Sequence, residues 1–430
     1  MEKNSIKFQG DLKSFQERLD ISKELDDKRG MATALHEIGA LYYHQGNYKE
    51  AVKFYRESLE IDRKILGNNH PTVATDLNDL GLVLQDLGRF EEAKSCIEEA
   101  LKIDKGVYGS MHPIVAKDLT DLGLVLQDLG RFEEAKSYIE KALEIDESMN
   151  PDSPNMARDL NGLGLVLKSF GDMHGAKKNF ELALAIFKHV SVLDGKYEAE
   201  VAKGANNLGL VLRTLNDLES AKQNLEEALN ISEKLLGPSH PQVALYANNL
   251  ALVLQDQGDF ENALIFSQRA LKIDKAVYGT NHPSVATDLN NLGLILNALN
   301  HLTDAKRCLE QALNIGEKVF GPNHPQVAIY LNGLGLVLLK MRDLPKAKEL
   351  FERALDIDKR VYSSDNIIIA TILYNLGLVL QGEGNVEGAK EKFENTLQIF
   401  QEYLGKDHPS TIKIRENLMS LSPAISPGGP

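Results

Sequence analysis

Apolar residues fall along this chain in steps of three and four rather than two, the spacing of one helix face and not of a strand. After Pro71, the residues Leu77, Leu80, Gly81 and Leu84 stand at i, i+3, i+4 and i+7. Proline suits the first helical position because its missing N–H would have no partner there. Gly88 then closes the helix, as a residue free to take the left-handed conformation. Gly46, Gly130, Gly171, Gly258 and Gly384 hold the same place in other copies, Asn216 and Asn300 are the next best choice, and Arg342 is the exception. A second helix follows, with Ala93, Ile97, Ala100, Leu101 and Ile103 on its apolar face.

This helix pair is a repeating unit. The fifteen residues GLVLQDLGRFEEAKS occur at Gly81–Ser95 and, unchanged, at Gly123–Ser137. The leading glycine recurs at Gly39, Gly81, Gly123, Gly164, Gly209, Gly293, Gly335 and Gly377, with Ala251 in its place once. The step is 42 residues, except 41 into Gly164 and 45 into Gly209, which makes nine copies. Alanine stands at the Ala93 position in every copy, from Ala51 to Ala389. Small residues at both places let paired helices approach closely, and such pairs bury their apolar faces only by stacking. The pattern predicts an all-α solenoid over residues 10–421, nine helix pairs with a partial repeat at each end. Residues 10–26 read as a lone second helix, Phe15, Leu19 and Ile21 matching Tyr55, Leu59 and Ile61, and Pro409–Leu421 as a lone first helix. Residues 1–9 and 422–430 read as an N-terminal tail and a disordered C-terminal tail.

The sequence L-G-x-x-[LY] followed by A-x-x-x-apolar-x-x-A resembles the tetratricopeptide repeat, with leucine in place of the family's common tryptophan, a residue this chain lacks. The linkers LGNNHPTVA, YGSMHPIVA, LGPSHPQVA, YGTNHPSVA and FGPNHPQVA make it similar to the 42-residue repeats of kinesin light chain and of arrays appended to signalling ATPases. The resemblance covers residues 10–421. It implies a right-handed α-solenoid whose first helices line a concave groove, and a non-enzymatic interaction scaffold that binds a protein or peptide there. The alternative it implies is a ligand-sensing arm of a larger signalling ATPase or protease system. With no heptad coiled coil in the sequence, it does not extend to a motor link.

Composition narrows the partners. The net charge of −14 argues against nucleic acid or an anionic membrane, which reward basic surfaces. No apolar run reaches the length of a membrane span, and the first twenty residues lack the apolar core of a secretory signal. Cys96 and Cys308 occupy equivalent places five repeats apart, which argues against a disulfide and fits a reducing, cytoplasmic setting. Gly171–Asn179, GDMHGAKKN, lacks the ending of a phosphate loop and aligns with an ordinary helix–helix turn. His70, His112, His240, His282, His324 and His408 each precede a proline. One per repeat is not a metal-ligand spacing; packing or capping at a helix start is the expected role. No cofactor, metal or catalytic constellation breaks the repeat.

Specificity is expected on the second face of the first helices, where Thr75, Asp79, Leu82 and Asp86 project away from the core direction. Along the chain the Asp79 position holds Glu37, Asp79, Asp121, Gly162, Asn207, Asn249, Asn291, Gly333 and Asn375. The Thr75 position is Lys117, Arg158 and Lys203 in three central copies, and the Leu82 position is leucine in all but the first, among them Leu82, Leu124, Leu210, Leu252 and Leu294. The stripe thus runs from acidic through basic to an asparagine ladder over an apolar floor. Asparagine amides can hold a peptide backbone and the cations its acidic groups; alternatively the asparagines knit neighbouring repeats together. Two irregular linkers, residues 147–157 and 187–202, flank the basic stretch.

Overall fold

The computed structural model describes residues 2–44, 46–361 and 366–421; the expected C-terminal tail lies outside them. Those residues form twenty α-helices and no strand. The pairs are α2 (Lys28–His44) with α3 (Tyr48–Leu66), α4 (Pro71–Asp86) with α5 (Phe90–Tyr108), and α6 (Pro113–Asp128) with α7 (Phe132–Met149). Next come α8 (Pro154–Phe170) with α9 (Met173–Asp194), α10 (Glu198–Thr214) with α11 (Leu218–Leu236), and α12 (Pro241–Asp256) with α13 (Phe260–Tyr278). The last three are α14 (Pro283–Ala298) with α15 (Leu302–Phe320), α16 (Pro325–Lys340) with α17 (Leu344–Asp358), and α18 (Ile367–Gly382) with α19 (Val386–Tyr403). Single helices α1 (Glu2–Glu24) and α20 (Pro409–Leu421) stand at the ends. The lone N-terminal helix therefore begins at residue 2, ahead of the residue 10 that the pattern marks.

Each pair closes on its glycine. A methyl group added at Gly81 would fall 2.7 Å from Ile97 Cγ1, and at Gly123 it would fall 2.5 Å from Ile139 Cγ1. Where Ala251 replaces the glycine, the facing residue is Ser267, fully buried and smaller than the Tyr, Ile, Leu or Phe of the other pairs. The invariant alanines from Ala51 to Ala389 are all fully buried. The turns behave as the glycine pattern requires, with φ between +70° and +97° at Gly46, Gly88, Gly130, Gly171, Gly258 and Gly384. Asn216, Asn300 and Arg342 take the same conformation at φ +63°, +64° and +65°.

Histidine starts most first helices by capping them. Nδ1 of His70, His112, His240, His282, His324 and His408 accepts a hydrogen bond from the backbone N–H two residues on, at 3.0–3.2 Å. That nitrogen sits where an asparagine Oδ1 would, and Asn366 caps α18 in the same way at 2.8 Å. The imidazoles also stack on the end of the preceding helix: His112 on Tyr108, His282 on Tyr278 and His324 on Phe320. Both expected roles, capping and packing, are carried by the same ring.

Successive first helices pack directly on one another, as at α4–α6, α6–α8, α12–α14 and α14–α16, whereas second helices show no comparable packing. The crowded side is the inside of the curve, so the first helices line the concave face. The superhelix is wound tightly enough for its turns to touch. A methyl group at Gly46, in the first pair, would fall 1.9 Å from Nε2 of His282, which opens the seventh; Gly88 of the second pair meets His324 of the eighth at 2.7 Å. Gly130 meets the Val361 carbonyl at 3.2 Å, and Gly171 meets the Tyr403 ring at 1.8 Å. One turn of the superhelix therefore takes six repeats.

Candidate peptide-binding groove

The stripe read from the sequence runs along the first helices, and its members are held mainly by each other and by neighbouring repeats. The acidic end is internally paired. Glu37 accepts from Arg18 at 2.7 Å, and Asp121 accepts from Lys117 at 2.9 Å and from Asn78 Nδ2 at 3.0 Å. Asp79 lies 3.2 Å from Nε2 of His36, whose Nδ1 is 3.0 Å from the buried Asp76. Hydrogen bonds to these two carboxylates hold the His36 pKa up at about 9, against the cost of burial. His36 is thus a cation at neutral pH, neutralising the groove acid.

The asparagines form a ladder between repeats. Nδ2 of Asn207 donates to Oδ1 of Asn161 at 2.9 Å, Asn249 to Asn206 at 2.6 Å, and Asn375 to Asn332 at 2.8 Å. Asn291 accepts from its neighbour Asn290 at 3.2 Å. One amide hydrogen of Asn207, Asn249 and Asn375 is therefore committed to the preceding repeat, and a second remains on each nitrogen. The partner column, Asn78, Asn161, Asn206, Asn248, Asn290 and Asn332, was passed over in the sequence although its signal is there: asparagine doubled in three successive copies. Leu82, Leu124, Leu210, Leu252 and Leu294 are half-buried floor residues between first helices. In two later copies the Thr75 position is apolar and open, Leu245 at 47% and Ile329 at 45% exposure.

The basic stretch coincides with a break in this regular lining. Gly162 draws α8 close to α6, since a methyl group there would fall 2.9 Å from the Thr120 methyl. On its other side, α8 and α10 are bridged by the Asn161–Asn207 hydrogen bond and by Arg158 and Glu200 at 3.8 Å. Here opens a cavity of about 670 Å³ whose walls run from α6 to α12, with α8 and α10 at its middle. Arg158 and Lys203 stand on its walls, Leu165, Leu245 and Phe187 supply apolar surface, and Gly162 and Gly204 leave room. Among the described residues Lys203 has no acidic partner, while Lys117 is occupied by Asp121. The longer irregular linker contributes Phe187, Ala199 and Glu200 to this cavity.

A second polar column, also missed, lies where four of the second helices meet the first helices that follow them. Asp62 and Asp76, Asp104 and Asp118, Asp146 and Asp159, and Asp274 and Asp288 stand at these two positions as adjacent carboxyl pairs, all buried. Burial pushes Asp62, Asp104, Asp118, Asp146, Asp159, Asp274 and Asp288 up, and the neighbouring acid pushes Asp62, Asp118, Asp159 and Asp288 further in the same direction. The same two positions hold Gly316 and Tyr330, where the missing side chain admits the ring.

The tetratricopeptide repeat family profile matches residues 30–106, 114–189, 200–276, 243–318, 289–360 and 368–418. This chain belongs to the tetratricopeptide repeat family, a fold that generally serves as a protein-interaction scaffold and is typically non-enzymatic. Among solved structures it is similar to BtubC (BKLC) from P. vanneervenii, at 21% identity and TM-score 0.43 over 55% of this chain and 94% of that one. It is also similar to a Podosopora anserina putative kinesin light chain with nearly identical TPR-like repeats, at 20% identity and TM-score 0.38 over 48% and 98%. A nucleotide-binding leucine-rich repeat (NLR)-like protein of Hyaloscypha variabilis is 41% identical over 46 residues, 11% of this chain and 5% of that relative's length. Among the described residues, no helix is long and apolar enough to cross a membrane.

Proposed function

We infer that this chain is a protein-interaction scaffold that binds an extended segment of a partner along its concave groove, anchored at the cavity with α8 and α10 at its middle. One observation supports this above the others. Two cations, an apolar wall and two glycines converge where the repeat lining is interrupted. That combination suits a segment offering a carboxylate beside an apolar side chain. Asn207, Asn249, Asn291 and Asn375, with the leucine floor, would then carry the segment onward without reading its side chains.

The short likeness to an NLR-like protein favours the second reading, a sensing arm of a larger signalling system, and the same groove would be its detecting surface.

The test is capture of partners from host lysate, comparing the parent chain with a Lys117→Glu, Arg158→Glu, Lys203→Glu variant of unchanged circular dichroism. A partner lost from the variant alone is the expected outcome. A partner retained equally by both would move recognition away from the central cavity.

A further inference from the structure

The seam between superhelical turns is not uniform. Over the fourth and fifth pairs it is made by one short segment, Tyr403–His408, the last residue of α19 and the linker that leads to α20. Tyr403 lies against Gly171, immediately after the end of α8, where an added methyl group would fall 1.8 Å from the ring. His408 reaches the carbonyl of Thr214, the last residue of α10, at 3.1 Å. The tautomer follows from the cap. Nδ1 of His408 accepts from the Ser410 N–H at 3.2 Å, so Nε2 carries the hydrogen and donates it to Thr214. That carbonyl is one of the four at a helix end with no partner inside the helix. The linker is itself held: Arg415 of α20 donates to the Lys406 carbonyl at 2.6 Å, and Ile414 and Thr411 bury α20 against the stack.

One segment thus touches the C-terminal ends of two helices, α8 and α10, that stand at the middle of the central cavity. Gly162 on α8 and Gly171 just past its end are nine residues apart, about 13 Å along a helix, and the Asn161–Asn207 hydrogen bond joins α8 to α10 in the cavity wall itself. Helices are stiff over that length, so the spacing of their ends and the width of the cavity change together. In a solenoid each repeat contacts mainly its neighbours. A contact that skips six repeats is therefore one the array can release without unfolding any of them.

We propose that Tyr403–His408 is a strap that sets the spacing of α8 and α10, so that its release widens the cavity and its closure narrows it. The strap couples the C-terminal cap to the centre of the groove. Its meaning for recognition rests on the cavity being the binding site; its effect on spacing does not.

The chain supplies the test substitution itself, since Asn366 caps α18 where the other copies use histidine. His408→Asn keeps the cap and removes the reach to Thr214. Tyr403→Ala removes the ring from Gly171. His112→Asn makes the same exchange where no turn lies across the ring. Spin labels on Arg158→Cys and Lys203→Cys, in a full-length chain with Cys96 and Cys308 replaced by alanine, report the α8–α10 distance by pulsed electron resonance. The expected result is a longer and broader distribution in His408→Asn and Tyr403→Ala, with His112→Asn matching the parent. Circular dichroism checks the fold, and His408→Asn carries the test alone if Tyr403→Ala does not fold. An unchanged distance in a folded His408→Asn protein would overturn the strap. So would an equal change in His112→Asn, which would trace the effect to the cap.

Discussion

At the scale of single residues, Arg342 is the place where the repeat is under strain. It holds φ +65° in a turn where six other copies use glycine. A side chain in that conformation costs about 1–2 kcal/mol. Arg342→Gly is expected to raise stability by about 1 kcal/mol, read as a higher denaturant midpoint with an unchanged slope. A midpoint that did not rise would mean that the arginine side chain makes a contact of equal worth. The left-handed turn was legible because glycine and asparagine mark it in the other eight copies. The histidine caps were half legible: a histidine before proline at a helix start implies capping or packing, and only the folded geometry shows one ring performing both.

At the scale of elements, the helix pair is set by one close approach. A methyl group at Gly209 would fall 2.8 Å from Leu225 Cγ and 3.2 Å from the Ala221 carbonyl. The backbone carbonyl cannot move aside as a side-chain tip can, so Gly209→Val must push α10 and α11 apart. We expect a loss of about 1–3 kcal/mol, seen as a lower melting midpoint. An unchanged midpoint would show that the pair tolerates the wider spacing. The chain contains a natural experiment of the same kind, since Ala251 is accommodated opposite the small Ser267. This pairing could be read from the sequence because its two positions lie sixteen residues apart in every copy. The carboxyl pairs were not seen. Aspartates at these positions look like solvated helix faces until the stacking of one repeat on the next buries them.

At the scale of the whole molecule, the buried carboxyl pairs recur along the array and make its stability depend on pH. Burial and the adjacent acid raise Asp118 and Asp159 to about 8 and Asp288 to about 9. Asp358, whose partner position holds Ile372, is pushed by burial alone to about 7. The folded chain therefore keeps protons that unfolded aspartates release near pH 4. This contribution is fully present below that pH and is lost as pH rises through the raised values. His36, held at about 9, acts in the same direction, because its charged form is the folded one. The melting midpoint is expected to fall from about pH 5 through about pH 9 and to level off above that. Asp118→Asn, whose amide can donate to Asp104 without a bound proton, should flatten that fall. A midpoint that rose with pH, or a slope untouched by the substitution, would show that the pairs are not protonated in the folded chain.

The sequence by itself determined the local geometry: helix spacing, turn position, small residues at close approaches and the number of units. All of these are set by contacts within one repeat or between neighbours, so a 42-residue period carries them in full. It also placed Glu37, Asp79, Asp121, Lys117, Arg158, Lys203, the asparagines and the leucines on one face, because a helical wheel needs nothing beyond the helix. Only the tertiary structure decided which of these groups spend their charges and amides on each other. It also decided where the lining opens and that the superhelix closes on itself after six repeats. The reason is physical: the pitch of a solenoid is a small rotation per repeat summed over many repeats, and no single copy shows it.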